Sequence, residues 1–267
     1  MSAILRADGL HVRRGEHTMA RGVSFDLPAG DALAVIGPNG SGKSSLLLGL
    51  RGLLPSTGGL HLDGVDPREV ARAEVARHVA VVPQRNESAF PMRVEEMVRL
   101  GRAPHRRPWQ GWSRADRELT RHWLDRLGLD PLRTRAVDSL SGGERRRVFI
   151  ARALVQETPV LFLDEPFAGL DPAARGEILA CLHDLRADGS RTLVLVLHDL
   201  LPVEELCTRV VGLRRGEVRI AGACGEVLDP AALEDLYGNP WEELVRPGEG
   251  VEEERRVLLP ARRDGRR

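Results

Sequence analysis

Residues 37–44 read Gly37-Pro38-Asn39-Gly40-Ser41-Gly42-Lys43-Ser44, a complete match to the phosphate-loop pattern. Such a loop restricts its surroundings. Its glycines let backbone N–H groups turn inward around phosphate oxygens. A helix must follow, with its positive end on the same anion. The short apolar run Ala32–Ile36 supplies a strand before the loop, and Ser44–Leu50 reads as the helix after it. In this pattern Lys43 bridges the β- and γ-phosphates and the Ser44 hydroxyl binds Mg²⁺. A glycine-rich turn with no ligand is the bland alternative, and the flanking strand and helix argue against it. Composition bears on one residue: of 39 lysines and arginines, Lys43 is the sole lysine. An arginine is a planar fork and a lysine a compact point charge, so position 43 needs the point charge.

The rest of the chain alternates strands and helices. Val23–Leu27 is a strand running into the turn Pro28-Ala29-Gly30. Leu60–Leu62 and Val79–Val82 are further strands, with a helical stretch around Arg68–Arg77 between them. From about residue 85 to 157 the texture is helical, over Val94–Leu100, Arg114–Leu127 and Gly143–Val155. Strands return at Val160–Leu163 and Thr192–Leu197, around a helix at Ala173–Arg186. Val210–Leu213 and Val218–Ile220 flank Arg215-Gly216 as a hairpin, and Ala231–Tyr237 is a last helix. This order predicts a mainly parallel α/β sheet. The 267 residues suit one domain over 1–246, with the helical insertion as a subdomain. Residues 247–267 are charged and aperiodic, and the expectation is a disordered tail.

Acidic and basic residues balance at 39 each and aromatics make up only 4%. That argues against a nucleic-acid partner, which calls for basic excess or stacking rings. Cys181, Cys207 and Cys224 form no CxxC and read as reduced thiols of a cytosolic protein. The N-terminus lacks the apolar core of a signal peptide. Apolar runs such as Leu193–Leu197 are far too short to cross a bilayer, so any service to a membrane is from outside the lipid.

Two more segments carry chemistry. Val160-Leu161-Phe162-Leu163-Asp164-Glu165 is an apolar strand ending in two acids, at the sheet edge where ligands bind in α/β folds. Asp164 can hold Mg²⁺ through water, and Glu165 can take a proton from an attacking water. Acids also favour a helix start after a strand; the phosphate loop upstream tips the balance to the functional reading. Leu140-Ser141-Gly142-Gly143-Glu144 opens a helix as a capped second anion site. Capping alone leaves unexplained why a chain with one phosphate loop has two such sites.

Taken together, these segments resemble the ATP-binding subunits of ABC transporters, from about Leu5 to Gly238. The matching pieces, in order, are Gly37–Ser44, Gln84 after Val81-Val82-Pro83, Leu140–Glu144, Asp164-Glu165, Gly169-Leu170-Asp171, and His198 after Thr192–Leu197. The resemblance implies an ABC-type nucleotide-binding domain: a P-loop NTPase core with a mainly parallel sheet, an antiparallel β subdomain and a helical insertion. It implies a head-to-tail homodimer, or a pair with a related subunit, in which Ser141, Gly142, Gly143 and Glu144 serve the partner's ATP. It further implies that Gln84 touches Mg²⁺ and the attacking water, that His198 contacts the γ-phosphate, and that Asp171 lines the dimer seam. Two departures stand out. Arg14 occupies the place of the family's adenine-stacking aromatic, with His17 as another group that could hold the base. The loop also ends Ser44-Ser45 where Ser-Thr is commoner.

The stretch Phe90 to His105, and the ending Gly225-Glu226-Val227-Leu228 with Leu233 to Tyr237-Gly238, look like those of importers of iron–siderophore complexes, haem and cobalamin. Importers of zinc or manganese ions are the nearest alternative. Soluble ABC ATPases of repair or translation are a third, disfavoured by the short 85–139 region and the single domain. The resemblance implies permease subunits, a substrate-binding protein acting through them, and a peripheral place on the cytoplasmic face of the membrane.

Overall fold

The computed structural model describes residues 3–84, 91–107, 109–246 and 255–261. Its strands are β1 (Ala3–Arg14), β2 (His17–Pro28), β3 (Ala32–Ile36), β4 (Ser56–Leu62), β5 (Val79–Val82), β6 (Val160–Asp164), β7 (Thr192–Val196), β8 (Arg209–Arg214), β9 (Glu217–Ala223), β10 (Trp241–Arg246) and β11 (Arg255–Pro260). Its helices are α1 (Lys43–Gly49), α2 (Arg72–His78), α3 (Val94–Arg99), α4 (Arg114–Arg126), α5 (Gly142–Val155), α6 (Pro172–Ala187), α7 (Leu201–Leu206), α8 (Cys224–Val227) and α9 (Pro230–Tyr237).

Nine strands form one sheet in the order β4-β1-β2-β9-β8-β3-β7-β6-β5. From β8 to β5 neighbouring strands are parallel. At the other end β4, β1 and β2 pair antiparallel. The central runs are continuously aliphatic because both faces are covered. Ala32, Ala34 and Ile36 of β3 face one apolar cluster, with Phe149 and Leu154 of α5 and Ile178 and Leu182 of α6. Leu33 and Val35 face the other, with Leu46, Leu47 and Leu50 of α1 and its C-cap, and with the antiparallel strands. Residues of β6 divide the same way: Leu161 and Leu163 to the first cluster, Val160 and Phe162 to the second. Burying such a side chain fully contributes roughly 1.5–3 kcal/mol each, so the sheet centre is the rigid platform for its own C-terminal edge.

The helical insertion appears as expected, with α3, α4 and α5 packed together and Trp123, Leu124 and Leu129 joined to the first cluster. After α3 the chain tightens into a 3-10 turn, Leu100–His105, that contains Pro104. Gly101 is needed there: a Cβ on it would sit 2.0 Å from the Arg152 carbonyl of α5. Phe90 lies outside the described residues.

Two expectations need correction. The helix placed around Arg68–Arg77 begins only at Arg72. Ahead of it, Asp66 Oδ1 accepts from the Arg68 backbone N–H at 2.9 Å while its carboxylate pairs with the Arg68 guanidinium, a local turn that competes with helix. The tail 247–267 is not wholly structureless. Arg255–Pro260 pairs with Trp241–Arg246, Glu243 opposite Leu258, and Leu258 is buried in the first cluster. The run Val257-Leu258-Leu259 has enough apolar side chain to dock, although its neighbours are charged.

Candidate functional site

The phosphate loop leaves β3 and enters α1 along a path that only glycine permits at two points. Gly37 has φ 137° and Gly42 has φ 109°. A Cβ on Gly37 would meet the Leu213 carbonyl oxygen at 2.0 Å, and one on Gly42 the Met19 carbonyl oxygen at 2.0 Å. Within this clamp Lys43 is 6% exposed. Its Nζ donates to the carbonyls of Gly37 (2.8 Å) and Pro38 (3.0 Å). Burial lowers its pKa, against the nearby negative charges of Glu165 and Asp164.

A cavity of about 690 Å³ opens over the loop. Asn39, Gly40, Ser41, Gly42, Lys43, Ser44 and Ser45 line its floor, with Gln84, Glu165 and His198 on one side and Arg14 and Met19 on another. The sheet explains the first side: Gln84 follows β5, Glu165 follows β6 and His198 follows β7, adjacent parallel strands whose C-terminal ends share one edge. The turn between β1 and β2, where Arg14 pairs with His17, brings Arg14 to the other.

Glu165 is held from both sides. Gln84 Nε2 donates to its Oε2 at 2.8 Å, and His198 Nε2 lies 2.5 Å from its Oε1. With an ionised carboxylate, that histidine nitrogen carries the hydrogen. Glu165 also has φ 52°, a left-handed conformation that non-glycine residues seldom adopt. It sets the carboxylate on the cavity wall.

Asp164 lies deeper. Burial raises its pKa and the charge of Glu165 adds to this; a hydrogen bond from the Ser44 hydroxyl and the charges of Arg146 and Lys43 act oppositely. Its Oδ1 is buried without a hydrogen-bond partner. An orphaned carboxylate oxygen beside a serine hydroxyl suits a hard divalent cation, and Mg²⁺ typically takes one or two protein oxygens and completes its shell with water and phosphate. The residues present therefore fit Mg²⁺.

The signature residues lie outside this cavity lining. Ser141 caps α5: its hydroxyl accepts from the Glu144 N–H (3.3 Å) and its own N–H donates to Glu144 Oε2 (2.8 Å). Ser141 and Gly142 are exposed, and a Cβ on Gly142 would meet open space. Asp171 is likewise exposed and caps α6, accepting from the Ala174 N–H at 2.9 Å. Sequence reasoning missed two residues here. Met19 lines the cavity. Arg146 of α5 is 3% exposed and binds the backbone behind Glu165.

The ABC transporter family model matches residues 20–168. The chain belongs to the ABC transporter family. The hemin import ATP-binding protein HmuV of Nocardia farcinica is 40% identical over 266 residues, 97% of this chain and 89% of that protein. The manganese transport system ATP-binding protein MntB of Halalkalibacterium halodurans is 35% identical over 240 residues, 89% and 93% of the two chains. Among solved structures, a metal-chelate type ABC transporter in an inward-facing conformation superposes with a TM-score of 0.85 at 28% identity, covering 98% of each chain. This ABC chain is an ATP-binding, ATP-hydrolysing subunit with the family's fold.

Proposed function

We propose that this ABC ATPase powers an importer of a metal chelate, of iron–siderophore, haem or cobalamin type. The observation that carries the catalytic part is the Glu165 carboxylate held between Gln84 and His198 above a buried Lys43. Glu165 takes the proton of the attacking water. The backbone of Gly37, Pro38, Asn39, Gly40, Ser41 and Gly42 cradles phosphates with Lys43, Ser44 and Ser45. His198, which lines the same cavity, would contact the γ-phosphate. Ser44, Asp164 and Gln84 would hold Mg²⁺, and the ion would supply positive charge against the phosphates. Exposed Ser141 and Gly142, with the half-buried Gly143 and Glu144, serve the ATP of a second copy, with Asp171 at the seam. The dimer sits peripherally on the cytoplasmic face of the membrane under its permease, and a substrate-binding protein acts through that permease. Among the described residues, no helix is long and apolar enough to cross a membrane.

The chelate reading is supported by the hemin relative and by the chelate-type structure, and the manganese relative supports the competing one. The test is the permease complex in vesicles, with binding protein loaded by hemin, a ferric siderophore, cobalamin or Mn²⁺. ATP turnover should rise with one of the chelates and not with Mn²⁺. Stimulation by Mn²⁺ alone would transfer the assignment to ion import. Failure to co-purify with any permease would remove the importer reading.

Arg14 is proposed to stack on adenine. It lines the cavity beside Met19, and a guanidinium over a π face is worth about 0.5–2 kcal/mol. Arg14→Ala should weaken ATP binding by up to about tenfold on that scale, and Arg14→Tyr should bind as the parent does. Unchanged affinity of Arg14→Ala in an ATP titration would show that another group holds the base.

A further inference from the structure

One guanidinium ties together the two strand ends that carry Gln84 and Glu165. Arg146 lies in α5, little more than one turn beyond the Ser141 cap. Its Nη1 donates to the carbonyls of Pro83 (2.8 Å) and Gln84 (3.1 Å). Its Nη2 donates to those of Asp164 (2.7 Å) and Glu165 (2.5 Å), and its Nε to that of Pro166 (3.2 Å). These carbonyls lie beyond Val82 and Leu163, the last pair of the β5–β6 ladder, while on its other side β6 still pairs Asp164 with Val196 of β7. Where the ladder stops, buried main-chain oxygens need other donors. A planar fork spreads five N–H donors over three nitrogens and so can serve all five carbonyls, where an ammonium has only three donors on a single nitrogen.

The contact reaches the chemistry through Glu165. Its left-handed backbone, φ 52°, sets its carbonyl on Arg146 while its carboxylate lines the cavity. Gln84 is arranged alike, with its carbonyl on Arg146 and its amide on the Glu165 carboxylate.

We propose that Arg146 is a positioning residue for hydrolysis, fixing from the signature helix the spacing of Gln84 and Glu165 and so the aim of the Glu165 carboxylate. This rests on Glu165 being the proton acceptor, so Glu165→Gln is measured alongside. The experiment uses the full chain with MgATP, comparing Arg146→Met, which keeps an unbranched apolar stem and loses every donor, with Arg146→Gln, which keeps one amide donor group. ATP-binding stoichiometry counts the folded sites.

Per folded site, Arg146→Met should lose at least about tenfold in kcat, within the scale of small misplacements at a reacting centre. KM for ATP should move by less than about threefold, the pattern of an interaction felt in the transition state. Arg146→Gln should recover part of the lost kcat. Parental kcat per folded site in Arg146→Met overturns the proposal, as does a loss confined to the number of folded sites. If Arg146→Met does not fold, Arg146→Gln decides: reduced kcat at unchanged KM supports the role, and parental kcat overturns it. Normal turnover in Glu165→Gln would refute the site assignment itself. A slow Glu165→Gln beside a normal Arg146→Met would refute only the role of Arg146.

Discussion

Glu165→Gln should hydrolyse ATP at least about a hundredfold more slowly than the parent while still binding it, the usual scale of a positioned proton-transfer group. The substitution keeps the shape of the side chain and changes two things. It removes the oxygen basicity that accepts the water's proton. It also replaces one acceptor by an NH₂ donor, in a place where both partners donate: Gln84 Nε2 at 2.8 Å and His198 Nε2 at 2.5 Å. The amide can keep its oxygen toward Gln84 Nε2 and turn its NH₂ to His198, whose Nε2 must then change from donor to acceptor. ATP binding should persist, because the phosphate-loop backbone and Lys43 are untouched. The protein should therefore collect as an ATP-bound dimer, visible by size-exclusion chromatography with excess nucleotide. Single-turnover hydrolysis within about threefold of the parent, against the expected hundredfold, would exclude Glu165 as the base.

The site was legible in the sequence wherever one short segment carries its own chemistry. Gly37–Ser44, Asp164-Glu165 and Gln84 each follow a strand of recognisable composition, and parallel pairing then brings the strand ends to one edge. His198 needed the series of motifs, since a histidine after a strand means little alone. Arg146 was not legible. Among the many arginines of the chain nothing local marks it, and its partners are carbonyls from segments about 20 and 60 residues away (Pro166 and Pro83). Only the assembled fold shows that those oxygens converge.

The antiparallel edge was expected from family likeness more than from residue pattern. In β1 the buried residues Leu5, Ala7, Leu10 and Val12 alternate only in part. The register shifts between Ala7 and Leu10, around Gly9 with φ 55°, and an irregularity of that kind breaks the period of two. In β11 the opposite happened. Charge dominated the composition of the tail and hid a short apolar run that pairs with β10 and buries Leu258. The signature raises a different point. Ser141 and Gly142 stand exposed and outside the cavity of their own chain, so their purpose is not visible in one copy, and the dimer must be tested as such.

Lys43→Arg should bind ATP about ten- to a hundredfold more weakly, although arginine is this chain's ordinary cation. A hydrogen bond to a charged group contributes about 1.5–3 kcal/mol, and each 1.4 kcal/mol is about tenfold in affinity. The expected loss comes from the loop's inability to widen. Lys43 is 6% exposed, and its Nζ already lies within hydrogen-bond distance of the Gly37 and Pro38 carbonyls, 2.8 and 3.0 Å away. On either side the loop is pressed against fixed backbone, Gly37 against the Leu213 carbonyl and Gly42 against that of Met19, with no room even for a Cβ. A guanidinium is broader than an ammonium and spreads its donors over a plane. To fit, it must either displace the loop, which those two contacts resist, or leave the floor of the cavity and lose the phosphates. Both routes cost affinity, and neither requires the fold to fail, because Lys43 contributes to no apolar cluster. Thermal denaturation without nucleotide should therefore change little while an ATP titration shifts strongly. If Lys43→Arg binds and hydrolyses ATP as the parent does, the loop accepts a fork as readily as a point charge, and the single lysine of this sequence has no physical cause in the site.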